Sequence, residues 1–119
     1  MKQVSVRGLL AAGALSAVAA LTLPAAAQDQ AAKDAYLRYH QAIAVTAKCQ
    51  EREFNQTEHS HMASYIDQKV NNEIGAGDRL HLIEQAKSNA YELVTKWGCD
   101  SDKVGEYRTL FEQELLPVM

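Results

Sequence analysis

Residues 75–99, GAGDRLHLIEQAKSNAYELVTKWGC, decide how this chain is read. A Gly-Ala-Gly-Asp turn opens the stretch, and Asp78 is a good N-cap for a helix running to Trp97. Leu80, Ile83, Ala90, Val94 and Trp97 recur at spacings of three and four, with the aliphatic stem of Lys87 filling the gap. Leu82, Ala86 and Leu93 broaden that stripe. The period is helical, and Gly98 directly after Trp97 is a C-terminal stop signal.

The same pattern extends on both sides. From Asp29 to Gln50 an apolar stripe passes through Ala32, Tyr36, Tyr39, Ile43, Ala47 and Cys49. From Thr57 to Ile74 it passes through Met62, Tyr65, Ile66, Val70 and Ile74. Asn55 with Glu58 three residues on reads as a capping box, with Thr57 as a competing cap. Gly75 is placed to take a left-handed conformation just after that helix. Asp100 or Ser101 caps a fourth segment carrying Val104, Tyr107, Leu110, Phe111 and Leu115, which Pro117 ends. Gly105 inside it costs about 1 kcal/mol against alanine, so fraying is expected in its first turn. Four stripes, short turns and no strand alternation predict an all-α antiparallel bundle of about four helices.

The N-terminus reads as an export signal. Lys2 and Arg7 precede an apolar run from Leu9 to Leu23, Pro24 breaks it, and Ala25-Ala26-Ala27 is a small-residue cleavage site. The expected division is a signal peptide over 1–27 and a single domain over 28–119. The run is shorter than the roughly 20 residues of a membrane span. No cysteine follows it closely, so no lipid anchor is expected, and the mature chain is expected in the periplasm or outside the cell. Without the two basic residues of the signal, ten basic residues face fifteen acidic ones. That balance argues against nucleic acid and against anionic membrane surfaces as partners. In an oxidising compartment Cys49 and Cys99 are expected to pair. A small domain profits from such a staple.

Few residues suggest chemistry. Glu58, His59 and His61 are candidate ligands for zinc or copper. On a helix, however, residues two apart point about 200° apart, so the two imidazoles converge only in a loop or frayed turn. The alternative is a solvated helix start. His40 and His81 are scattered, and the tyrosines at helical spacing read as core. Gly75-Ala76-Gly77 lacks a preceding strand and a third glycine, so it is no dinucleotide motif. Neither a nucleophile motif nor C-x-x-C is present, and no cofactor and no enzymatic activity are expected.

The leading expectation is therefore a non-enzymatic exported protein that binds another envelope protein through a helix face. Leu37 and Val45, off the main stripe, with Leu116 and Val118, are the candidate surface for that partner or for a homodimer. The layout of the chain also resembles the small acid-stress chaperones of the enteric periplasm. Those are short exported helical chains with two cysteines about fifty residues apart, as Cys49 and Cys99 are, and a final helix after the second. The resemblance is one of layout. The segment around Cys49 does not match theirs, and their lysine-rich terminal character is missing. It implies protection of clients by conditional unfolding in acid. Metal binding at the two histidines is the third expectation.

Overall fold

A computed structural model describes residues 25–119. Four α-helices follow in order: α1 (Ala25–Gln50), α2 (Gln56–Lys69), α3 (Ala76–Trp97) and α4 (Asp102–Leu110). A π-helical turn (Phe111–Leu115) and a 3₁₀ turn (Leu116–Val118) complete the chain. Among the described residues there is no strand, and the expected helical bundle is what forms. Residues 1–24 of the expected signal peptide lie outside the described residues, while 25–27 form the first turn of α1. Among the described residues no helix is long and apolar enough to cross a membrane.

The helix ends show why the boundaries fall where they do. At the C-terminus of α1, Glu51 adopts φ 49°. Glu51 N–H donates to the Lys48 carbonyl at 3.4 Å and Arg52 N–H to the Ala47 carbonyl at 2.9 Å. This is a Schellman closure with glutamate at the left-handed position. The α2 helix ends the same way. Asn71 and Asn72 both have φ 56°, and Asn72 N–H donates to the Asp67 carbonyl at 2.8 Å. The helix thus stops before Ile74, because asparagine tolerates the left-handed region well enough to close it early. Gly75 is not its left-handed terminator. It is extended (φ −71°, ψ 161°) and is the N-cap of α3, which leaves Asp78 inside the first turn rather than at the cap. There its carboxylate faces the helix dipole and lies 3.7 Å from Lys33.

The expected capping box at Asn55 is formed. Glu58 N–H donates to Asn55 Oδ1 at 2.8 Å, and Asn55 N–H donates to Glu58 Oε1 at 3.0 Å. Gly98 at φ 82° ends α3, a conformation that a side chain there would strain. Ser101 caps α4, its Oγ accepting from Val104 N–H. Gly105 lies within the continuous α4 helix. Pro117 is not what ends that helix. The backbone has already widened at Phe111, and Leu116 N–H bonds back to the Phe111 carbonyl. The wider turn lets both Phe111 and Leu115 reach the core.

Consecutive helices run in opposite directions, so α1 and α3 are parallel. Lys33 meets Asp78 near their N-terminal ends, and Cys49 in the last turn of α1 is bonded to Cys99 just past the end of α3. The main core gathers Met62, Ile66, Phe111 and Leu115 around Tyr36 and Ile43 of α1. A smaller cluster joins Val45, Ala90 and Val104, and half-buried Tyr107 packs against both.

This arrangement corrects two faces. The α1 helix contacts all three of its neighbours, so its burial extends beyond one stripe to Ala42, Val45 and Thr46. Val45, expected at a surface, is fully buried. On α3 the buried line is Leu82, Ala86 and Ala90. Leu80 and Trp97, expected on its inner face, are 66% and 46% exposed. Leu82 and Ala86, expected at the edge of that stripe, join Ala90 at its centre.

The disulfide spans a sequence separation of 50 residues. Closing such a loop stabilises a folded chain by about 4 kcal/mol in the chain-entropy model. Replacing Cys49 and Cys99 by serine should therefore lower unfolding free energy by about 3–4 kcal/mol, read by urea denaturation against the oxidised protein.

Candidate functional site

The residues that the sequence nominates for metal binding are not brought together. Glu58 is held in the capping box and by Arg52, whose Nη2 is 2.5 Å from its carboxylate. The His59 ring stands edge-on to Phe54, with centroids 5.9 Å apart. His61 Nδ1 lies 3.0 Å from the Met119 carbonyl. Within one turn of α2 these side chains point toward different neighbours. Among the described residues no group of three or more histidine, cysteine or acidic side chains is placed to hold a metal ion.

Nor do the four candidate interface residues form a patch. Val45 is in the core, Leu37 and Val118 pack partly buried against the main cluster, and Leu116 alone stands exposed. The α1 face that carries Leu37 is narrower than its stripe suggests, because neighbouring helices cover it on three sides.

The larger opening lies elsewhere. A groove of about 830 Å³ runs between α1 and α3 and is bounded at one end by residues 52–54 and His59. Its apolar lining is Ile43, Ala44 and Ala47 of α1, Ile83 and Ala90 of α3, and Phe54. The hollow arises because small alanines on two parallel helices leave the space between them unfilled. Its volume falls within the roughly 300–1,000 Å³ of small-molecule sites.

The groove is rich in positive charge. Lys48, Arg52 and Lys87 line it, and Glu53 is the one acidic residue among the lining groups. That is unexpected in a chain of net charge −3. Arg52 is neutralised by Glu58. Lys87 is 3.7 Å from Glu84, but both side chains are about two-thirds exposed, so that pair is weak. Lys48 makes no ion pair among the described residues, and its Nζ sits 4.5 Å from the centroid of the exposed Tyr91 ring.

His40 also lines the groove. Its ring lies 4.5 Å from that of buried Tyr36. Its Nε2 is buried without a hydrogen-bond partner. Burial pushes the imidazole down to about 4; Asp67 opposes this, while the positive charges of His59, Arg79 and Lys87 add to it. The ring is therefore neutral at pH 7, with one nitrogen unused. With Lys48 free of any ion pair among the described residues, the groove suits an apolar group carrying negative charge.

A second polar cluster fastens the C-terminus. The hydroxyls of Tyr39 (α1) and Tyr65 (α2) both donate to Glu114 Oε1 at 2.7 Å, and Lys69 is 3.9 Å away. The Tyr65 and Tyr39 hydrogen bonds hold the Glu114 carboxyl below its usual range. Burial and the bond to Glu114 push the Tyr39 hydroxyl up. Across the bundle, Arg79 donates to Asp67 at 2.6 Å and to the Ile74 carbonyl at 2.9 Å, fixing the turn between α2 and α3.

Neither groove nor cluster was nominated from sequence. Lys48, Lys87 and Tyr91 meet only because α1 and α3 are parallel. The one signal available was the set of small residues, Ala44, Ala47 and Ala90, next to the apolar stripes. No protein-family model, no curated protein and no solved structure matches this chain.

Replacing Tyr65 by phenylalanine should raise the Glu114 titration midpoint toward the ordinary glutamate value. Loss of that bond should lower stability at pH 7 by about 1 kcal/mol. Carbon-detected NMR titration and urea unfolding read the two effects.

Proposed function

We propose that this chain is a small exported binding protein without catalytic activity, and that the groove between α1 and α3 is its recognition surface. The observation that supports this is the combination of an apolar lining with Lys48 and Lys87 along it, in an otherwise acidic molecule. Positive charge concentrated on one concavity favours a ligand of opposite sign. Function in the bacterial envelope follows from the N-terminal sequence. Oxidised protein incubated with native envelope extract, cross-linked and recovered, should retain a stoichiometric ligand, protein or small molecule, by mass spectrometry. Charge reversal at Lys48→Glu with Lys87→Glu should release it. Identical recovery by both proteins counts against the groove.

A second reading, protection of clients by acid-induced loosening, is supported by His40 and Glu114. In the unfolded chain His40 titrates at its ordinary 6.5, and in the fold at about 4. Below pH 6.5 the unfolded chain takes up a proton that the folded one refuses. Stability therefore falls as pH drops from about 6.5 to 4, by about 3 kcal/mol in all. Glu114 is lowered, so its contribution is present above the ordinary glutamate value and is lost as pH falls through the folded one. Both changes loosen the bundle in acid. Against the 5–15 kcal/mol typical of a domain, the imidazole alone removes a substantial share. His40→Leu should make the stability drop between pH 7 and pH 4.5 smaller by about 2–3 kcal/mol than in the wild type, read by urea unfolding at both values. Suppression of client aggregation should begin where the wild type loosens, and absence of protection there excludes the chaperone role.

A further inference from the structure

We infer that the groove between α1 and α3 takes a single-chain anionic amphiphile, an alkyl carboxylate, with its chain on the apolar floor and its head toward Lys48 and Lys87. This rests on the reading of the groove as a binding surface and names its ligand class.

Size separates a small amphiphile from a protein segment. A specific protein interface buries about 800 Å² on each partner and draws on large apolar anchors at its centre. Among the described residues, of the exposed large apolar side chains Leu80, Tyr91, Trp97 and Leu116, Tyr91 alone lines the groove. The apolar lining of the hollow is partly exposed Ala44, Ala47 and Ile83, backed by buried Ile43, Ala90 and Phe54. A narrow floor walled by two helices fits a flexible hydrocarbon chain, which gains from each methylene it buries.

Charge selects the head group. Lys48 lacks an ion-pair partner among the described residues and rests against Tyr91, so it can turn to a carboxylate without breaking a salt bridge. Lys87 has only an exposed contact with Glu84. Glu53, the single acidic lining residue, would repel a second negative charge, which favours a monoanion. The His40 ring also borders the hollow, with its Nε2 buried behind that wall.

The test uses sodium decanoate below its micellar concentration, titrated by calorimetry into the purified protein with its disulfide intact. Decyltrimethylammonium and 1-decanol serve as charge controls. The expected result is saturable one-to-one binding of decanoate, tighter than that of either control. Amide shifts should be centred on Lys48, Phe54 and Tyr91. Lys48→Glu with Lys87→Glu should weaken it by roughly tenfold or more, and Ala44→Leu, which fills the floor, should abolish it. Failure to saturate, equal affinity for the cationic amphiphile, or shifts centred on Trp97 or Glu114 overturns the inference. The shift map is read on the wild type, so the answer does not depend on the variants folding. If decanoate does not bind while charge reversal still releases a ligand recovered from the envelope, the ligand class falls and the binding surface stands. If both fail, both fall.

Discussion

The parallel pairing of α1 with α3 is the constraint on which the rest of this molecule depends. It is fixed at one end by the bond between Cys49 and Cys99 and begins at the other beside the Lys33–Asp78 ion pair. The exposed ion pair adds little. The covalent end carries the alignment, with Val45, Ala90 and Val104 packed in its neighbourhood. Once α1 and α3 lie side by side in the same direction, α2 and α4 must run against them. The groove lies along this seam, where Ala44 and Ala47 of α1 and Ile83 of α3 border the opening.

Polar groups are distributed unevenly over this frame. Glu114 is fully engaged, with two tyrosine hydroxyls from different helices on one oxygen, and it ties a π-helical turn to the bundle. Irregular turns of this kind often accompany function. Here the turn has a packing reason as well, because it seats both Phe111 and Leu115. His40 is the opposite case, a buried imidazole with an unused nitrogen. Unpartnered polar atoms of this sort cost stability. The His40 ring also borders the groove, so the groove and the acid response share a residue. Protonation of His40 would add positive charge to the groove while weakening the bundle that forms it.

Local features were legible where the causes are local. The capping box at Asn55 and Glu58, the serine cap at Ser101 and the stop at Gly98 all depend on a few neighbouring residues, and each forms as read. Misreadings occurred where two local solutions compete. Asn71 closes α2 before Gly75 can, and Gly75 then starts α3 in place of Asp78. The end of α4 was misjudged for a different reason. Seating Phe111 and Leu115 in a shared core widens the helix before Pro117 acts.

By itself, the sequence determined the helical class, the number of helices, most of their caps and the two cysteines available for pairing, because period and capping chemistry act within a turn or two. It also placed Tyr36, Ile43, Met62, Ile66 and Phe111 in the core, where the structure has them. Only the tertiary structure decided which side of each helix faces inward. Val45 is buried because α1 has three neighbours rather than one, and Leu80 is exposed because α3 turns Leu82, Ala86 and Ala90 inward. The groove, with its cations and the bordering His40 ring, belongs to this second kind of information. Its residues come from three stretches of chain, and their juxtaposition is set by helix direction and packing rather than by any spacing along the sequence.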